Sequence, residues 1–261
     1  MVTDNEVEYA FNKLKSIPHL RLKKDFDVLY AIDELQLIDE YIGYRKTIDE
    51  DYSTSDLYFS NWKGRGLIDF VEDSKLSMMR SPNRKTGIVT SGDGQATIKF
   101  TYDENGKIKL FVTDLGKKTR NILDIVYSLT DNPLRTRVTK IMPNGQITWH
   151  SHFQNYLGAN TLGGDKEYWH CIVHIPLITN PLAEMGVTRF SHKTYGINPV
   201  WKHYSVGESW VFNGWHDHNV RNKNLFESRI HIMAYMPLKC RKFMNILMES
   251  IEEYNGELIE T

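Results

Sequence analysis

The stretch that most limits the possible folds runs from Arg135 to Met236, where short apolar segments alternate with turn residues. The segments with strand character are RVTKIM, QITWH, YWHCIVHIPLI, GVTRFS, KHYSV, ESWVF and RIHIMAYM. Turn-forming sequences separate them, among them Pro143-Asn144-Gly145 and Asn213-Gly214. Several short strands at this spacing predict a β-sandwich or a β-barrel.

Other segments have helical or hairpin character. Apolar residues recur at helical spacing in 5–17, 26–41 and 120–129, and 240–254 reads as a closing helix. Between Ile88 and Val112 the pattern changes to strands, with Asn105-Gly106 as a hairpin signal. We therefore expect a mainly β (α+β) chain with flanking helices, organised as one compact domain. Residues 1–130 form a mixed N-terminal extension with a helical elaboration, 131–240 the core and 241–261 the C-terminal helix.

Composition excludes several classes of protein. The 261 residues carry a formal net charge of -1, which gives no sign of a nucleic-acid partner. No run of 18 apolar residues is present, so no membrane span is expected, and the acidic N-terminus does not resemble a signal peptide. Cys171 and Cys240 form neither a disulfide framework nor a zinc motif, and a cytoplasmic location is expected.

Histidines are concentrated in the strand-rich part, since nine of the ten lie between His150 and His231. His150 and His152 are separated by one residue. In a strand, residues two apart point to the same face, so both can approach one metal ion. Taken alone, such a pair is also typical of a solvated strand face.

A second His-x-His pair, His216 and His218, follows the Gly207-Glu208 turn and an apolar strand. Either histidine could complete a metal site begun by His150. In an extended segment, Asp217 points away from both. Two such pairs in one predicted barrel are more specific than either alone.

Arg229 opens the strand RIHIMAYM and shares a face with His231, Met233 and Tyr235. An arginine inside a barrel requires an anion, and its planar group fits a carboxylate. Taken alone, Arg229 is better explained as a surface residue or as the partner of a protein carboxylate. His174 lies in the strand YWHCIVHIPLI, either beside a bound acid or as a core histidine.

Taken in order, these segments resemble the aspartyl/asparaginyl β-hydroxylase family, over roughly residues 135 to 236. The matching pieces are the run from Arg137 to His150, VHIPLITN, Gly207-Glu-Ser-Trp, HNVRN and RIHI. The resemblance implies a double-stranded β-helix (a cupin-like jelly roll), iron(II), 2-oxoglutarate, O2 and a small-molecule or peptide substrate. It implies His150 and His218 as metal ligands, and Arg229 and His174 as residues that bind 2-oxoglutarate.

The sequence departs from the usual pattern at His152, where many such oxygenases have a carboxylate ligand. This leaves open a site with three histidines or a site with two histidines and additional water, and a three-histidine site also suits zinc. Two other functions stay open: a three-histidine cupin dioxygenase that does not use 2-oxoglutarate, and a non-catalytic metal-binding cupin. Succinate formation distinguishes a 2-oxoglutarate-dependent oxygenase from these two alternatives.

Overall fold

The computed structural model describes residues 1–43, 61–75, 88–90, 97–99, 101–104, 109–151, 169–189 and 198–260. Its α-helices are α1 (Asp4–Leu14), α2 (Leu29–Asp33), α3 (Arg120–Leu129) and α4 (Arg241–Glu252). A 3-10 helix, Glu34–Leu37, follows α2 directly. No helix in these ranges is long and apolar enough to cross a bilayer.

The strands fall into an early and a late group. The early strands are β1 (His19–Arg21), β2 (Ile42–Gly43), β3 (Trp62–Asp69), β4 (Ile88–Thr90), β5 (Thr97–Lys99) and β6 (Phe111–Val112). The late strands are β7 (Thr136–Ile141), β8 (Gln146–His150), β9 (His170–Ile178), β10 (Ala183–Val187), β11 (Val200–Lys202), β12 (Trp210–Phe212), β13 (His218–Asn222) and β14 (Arg229–Pro237).

The late strands form two antiparallel sheets. The large sheet has the order β1-β12-β9-β14-β7-β3-β2, with β6 paired to β3, and the small sheet has the order β11-β10-β13-β8. From β7 to β10 successive strands alternate between the two sheets, and β12 to β14 do the same. This is the jelly-roll arrangement of a double-stranded β-helix, so the predicted fold class is confirmed. Strands β1, β2, β3 and β6 widen its large sheet.

The large sheet separates two hydrophobic cores. Alternation along β14 places Ile230, Ile232 and Ala234 in the core beneath the helices, and Met233 in the core between the sheets. Residues on one face of β14 therefore line the interior of the β-helix. The predicted face that starts at Arg229 is this inner face.

Most predicted elements are confirmed by the structure. Helix α3 has the predicted bounds, α4 lies within its range, and β8, β9 and β12 lie in their predicted segments. Helix α1, β7 and β14 match their predictions except for one residue at one end. The hairpin residues Asn105 and Gly106 lie outside the described residues. Cys171 and Cys240 are both buried, and neither forms a disulfide among the described residues.

Two strand predictions are displaced. Strand β10 begins three residues before the predicted segment GVTRFS, at Ala183. Strand β11 ends at Lys202, where KHYSV was predicted to begin. The chain leaves the small sheet there because the backbone N–H of Ser205 donates to the carboxylate of Glu208 (2.9 Å), within the turn before β12.

The turn before β12 requires glycine at position 207. Gly207 has a φ of +79°, and a Cβ there would lie 2.5 Å from the carbonyl oxygen of Phe26. The Gly207 N–H donates to the carbonyl of Pro176 (3.0 Å), and its carbonyl accepts from the N–H of Phe26 (2.9 Å). This Gly-Glu turn therefore ties the N-terminal extension to β9.

The predicted helix over 26–41 is wrong in its extent, because only the short α2 and the 3-10 helix form there. Glu34, at the start of the 3-10 helix, is buried against the N-terminus of α3. Its carboxylate accepts hydrogen bonds from the backbone N–H groups of Asn121 and Ile122, both at 2.9 Å. Since Thr119 makes no side-chain cap, Glu34 caps α3 from a distant part of the chain.

We expect Glu34→Ala to lower the free energy of unfolding by about 1–3 kcal/mol, because it leaves backbone donors of α3 without their acceptor. Urea unfolding followed by circular dichroism measures the change. Glu252→Ala, at an exposed position in α4, is the matched control and should stay within about 0.5 kcal/mol of wild type. Equal effects of the two substitutions would contradict the capping role.

Candidate functional site

Two histidines meet where strands β8 and β13 pair. His150 ends β8, His218 begins β13, and the two are direct cross-strand partners. Their ring centroids lie 4.3 Å apart, with 53° between the ring planes. The structure thus brings together the first histidine of one His-x-His pair and the second histidine of the other.

Both rings are held in the same way. Nδ1 of His150 lies 2.8 Å from the carbonyl oxygen of Thr148, and Nδ1 of His218 lies 3.0 Å from that of His216. A carbonyl oxygen can only accept, so each Nδ1 carries a proton and each neutral ring has its lone pair on Nε2. Histidines that bind metals commonly have their other nitrogen fixed in this way.

The local electrostatics favour neutral imidazole at His150. Burial lowers its pKa, against smaller raising effects of the hydrogen bond to Thr148 and of the Asp217 carboxylate. A neutral ring is the form that binds a metal. Asp217, expected in an extended segment to point away from His216 and His218, carries a charge that raises the pKa of His150.

His216, the alternative ligand, has a different environment. It is fully buried, and its Nδ1 lies 2.9 Å from the carbonyl oxygen of Thr188, the residue that follows β10. Among the described residues, the histidine ring in contact with His150 is that of His218, not that of His216. The geometry therefore favours the pair of His150 and His218.

The third predicted ligand, His152, lies outside the described residues. Within the described ranges, no group of three or more histidine, cysteine, aspartate or glutamate side chains is arranged to hold a metal. The described part of the site is thus a histidine pair, to which a further ligand can be added.

A continuous wall leads from the histidine pair into the β-helix. The ring of Phe212 lies 4.7 Å from that of His218 and 5.4 Å from that of His174. The ring of His174 in turn lies 5.9 Å from that of His231. His174, predicted to sit beside a bound acid, lies between the histidine pair and the inner face of β14.

Arg229 lies at the far end of this wall, at the start of β14. Its residue exposure is 3%, and its Nη2 donates to Nδ1 of His231 at 2.9 Å. Burial lowers the pKa of Arg229 to about 10, so the group keeps its charge at neutral pH. No carboxylate among the described residues forms an ion pair with it, although eleven other arginine and lysine residues there are ion-paired within 3.5 Å.

One part of the site was missed by the sequence reasoning. Tyr204 stacks on Trp210, with ring centroids 4.8 Å apart and 2° between the planes. Its hydroxyl lies 2.8 Å from Nδ1 of His19, whose Nε2 lies 2.9 Å from the carbonyl oxygen of Val200. That carbonyl fixes the proton on Nε2, so the Tyr204 hydroxyl donates to His19. Nothing local to His19 signals this contact.

Similarity of this chain to known proteins is found among solved structures. No protein-family model and no curated protein matches the chain. A 2OG-Fe(II) oxygenase family oxidoreductase from Burkholderia pseudomallei is 14% identical, with 93% of this chain and 96% of that chain covered and a TM-score of 0.46. HygX from Streptomyces hygroscopicus, solved with nickel, 2-oxoglutarate and hygromycin B, is 12% identical, with 91% and 88% covered and a TM-score of 0.43.

A prolyl hydroxylase from Trichoplax adhaerens, solved with a hypoxia inducible factor peptide fragment, is 10% identical. The alignment covers 92% of this chain and 93% of that chain, with a TM-score of 0.42.

Proposed function

We propose that this chain is an Fe(II)- and 2-oxoglutarate-dependent oxygenase that hydroxylates an amino acid, a peptide or another small substrate. The observation that carries the proposal is the combination, inside one β-helix, of a paired-histidine site with a buried arginine that has no carboxylate partner among the described residues. Each half suits one of the two required ligands, a metal ion and a dicarboxylic acid. The contacts of Phe212, His174 and His231 join the two halves.

The histidine pair fits a divalent metal. His150 and His218 would hold iron(II) through Nε2, because Nδ1 of each ring is committed to a backbone carbonyl. His152 would be the third ligand or lie within a water's reach of the metal, since it shares a strand face with His150 if β8 continues. Three imidazoles would leave the metal more positively charged than two imidazoles and a carboxylate.

Arg229 fits the distal carboxylate of 2-oxoglutarate. A buried cation is stable only with a compensating anion, and no described carboxylate supplies one. The guanidinium group offers two parallel donors that match a carboxylate. His174, which neighbours His231, would be a second donor to the same acid.

Bound iron and 2-oxoglutarate supply the oxidising chemistry, in which O2 is consumed, a substrate C–H becomes C–OH, and 2-oxoglutarate leaves as succinate and CO2. The residues of this chain bind and orient the reactants. Phe212, Trp210 and Met233 are buried apolar side chains of the inner core that keep water from the interior. The neutral ring of His150 stays available to the metal at neutral pH.

The proposal is tested by supplying purified protein with iron(II), 2-oxoglutarate and panels of amino acids and peptides. We expect succinate to form in a one-to-one ratio with O2 consumed, and to form faster when a panel contains the substrate. Mass spectrometry of that panel should show a gain of one oxygen atom.

Other results would identify a different function. Uptake of O2 without succinate would indicate a cupin dioxygenase that oxidises its substrate directly. Metal binding without O2 uptake under any panel would indicate a non-catalytic binding protein. Either result would overturn the proposed use of 2-oxoglutarate.

A further inference from the structure

The tautomer of His231 follows from its contact with Arg229. The guanidinium group has only N–H donors, so Nδ1 of His231, 2.9 Å from Nη2 of Arg229, must be the acceptor. In the neutral ring, the proton is then on Nε2. The sequence places His231 on the same strand face as Arg229, but only this contact shows which nitrogen is the donor.

Neutrality of this ring follows from its surroundings. His231 is 1% exposed, and burial, followed by the charge of Arg229, lowers its pKa well below 6.5. His174 and His203 act in the same direction. His231 is therefore a fixed Nε2–H donor across the physiological pH range.

The Nε2–H group of His231 lacks an acceptor. It is buried, and no hydrogen-bond partner for it exists among the residues that the structure describes. Buried donors are nearly always paired, and those without a protein partner commonly face a ligand or a water molecule. The rings near His231 are those of His174 at 5.9 Å and Tyr204 at 6.4 Å, neither of which is an anion.

Charge decides what kind of acceptor fits. Arg229 contributes a positive charge on one side of His231, and no described carboxylate pairs with it. A carboxylate would both neutralise the charge of Arg229 and accept a hydrogen bond from Nε2–H of His231. A water molecule would satisfy the donor alone.

We propose that His231 is a third residue that binds the cosubstrate, donating from Nε2 to an oxygen of the acid that Arg229 holds. Its Nδ1 keeps the guanidinium group oriented at the same time. This inference rests on the proposed use of 2-oxoglutarate. It adds a hydrogen-bond donor to the acid that is separate from Arg229 and His174.

Three substitutions of His231 test the roles of its two ring nitrogens independently. The amide of His231→Gln reaches the position of Nε2, the amide of His231→Asn reaches only that of Nδ1, and His231→Leu reproduces neither. The dissociation constant for 2-oxoglutarate is measured by anaerobic titration of the iron(II) protein. We expect it to rise at least about tenfold in the Asn and Leu variants and to stay nearer wild type in the Gln variant.

A spectroscopic measurement reports on the donor without turnover. In protein labelled with 15N-histidine and free of iron, the Nε2–H proton of His231 should be visible and should not titrate between pH 5 and 8. Saturating 2-oxoglutarate should move its resonance downfield, as expected for a charge-assisted hydrogen bond. Arg229→Ala should abolish that shift by removing the bound acid.

The possible results distinguish failure of the His231 contact from failure of the proposed use of 2-oxoglutarate. If 2-oxoglutarate binds in a manner that depends on Arg229, while the Asn variant matches wild type and the Gln variant matches Leu, His231 acts only by orienting Arg229. Equal affinity in all variants, or an unmoved Nε2–H resonance, would also overturn the direct contact. If wild-type protein binds no 2-oxoglutarate, the proposed function itself fails, and this inference fails with it.

Discussion

Arg229→Ala is expected to weaken 2-oxoglutarate binding between about 100-fold and about 20,000-fold. Two hydrogen bonds to a charged group, each contributing about 1.5–3 kcal/mol, correspond to that range. The loss should be large because Arg229 is buried and water cannot replace it. Anaerobic titration of the iron(II) protein, followed through the metal-to-ligand charge-transfer band, measures the affinity.

Two further substitutions show whether the loss is specific. Arg229→Lys keeps the charge but not the planar pair of donors, so we expect at least about a tenfold loss. Arg221→Ala is the matched control, because Arg221 lies on a β-helix strand and is ion-paired with Glu184 at 2.7 Å. It should bind 2-oxoglutarate like wild type. Equal binding by wild type and Arg229→Ala would overturn the assignment.

His150→Ala and His218→Ala are each expected to lower metal affinity by more than about 100-fold. Loss of a residue that merely supports a ligand already lowers affinity by about 10- to 100-fold, and a direct ligand contributes more. Competition with a chelator under anaerobic conditions, with iron(II) or cobalt(II) as the probe, measures the affinity. Circular dichroism confirms that each variant stays folded.

His216→Ala is the matched control for His218→Ala. Both histidines are buried, and the contact from Nδ1 of His218 to residue 216 is to its backbone carbonyl, which alanine retains. We expect His216→Ala to keep metal affinity within about tenfold of wild type. Loss of metal in His216→Ala with retention in His218→Ala would reverse the assignment.

Local patterns were sufficient for most elements. The period of two along RIHIMAYM predicted which residues of β14 face inward, and the structure divides that strand between its two cores accordingly. The helix over 120–129 was predicted with its exact bounds. In both cases the pattern depends on neighbours within a few residues, which the sequence displays directly.

The predicted helix over 26–41 was wrong for a reason that lies elsewhere in the chain. The carboxylate of Glu34 lies at the first turn of α3, where it accepts hydrogen bonds from the backbone N–H groups of Asn121 and Ile122. That contact joins residues 87 and 88 positions apart, so helical periodicity near Glu34 contains no sign of it. A tertiary hydrogen bond outweighed a local preference.

The sequence by itself determined the ingredients of the site: two His-x-His pairs, a strand that begins with Arg229, and the turns between short strands. Which histidine of the second pair meets His150 was decided only by the antiparallel register of β13 on β8. The tautomers of His150, His218 and His231 each follow from one contact between residues two apart in the chain, to a backbone carbonyl for the first two and to the Arg229 guanidinium for His231. The physical reason is that side-chain direction follows from the local backbone, whereas partners, burial and protonation depend on which strands become neighbours.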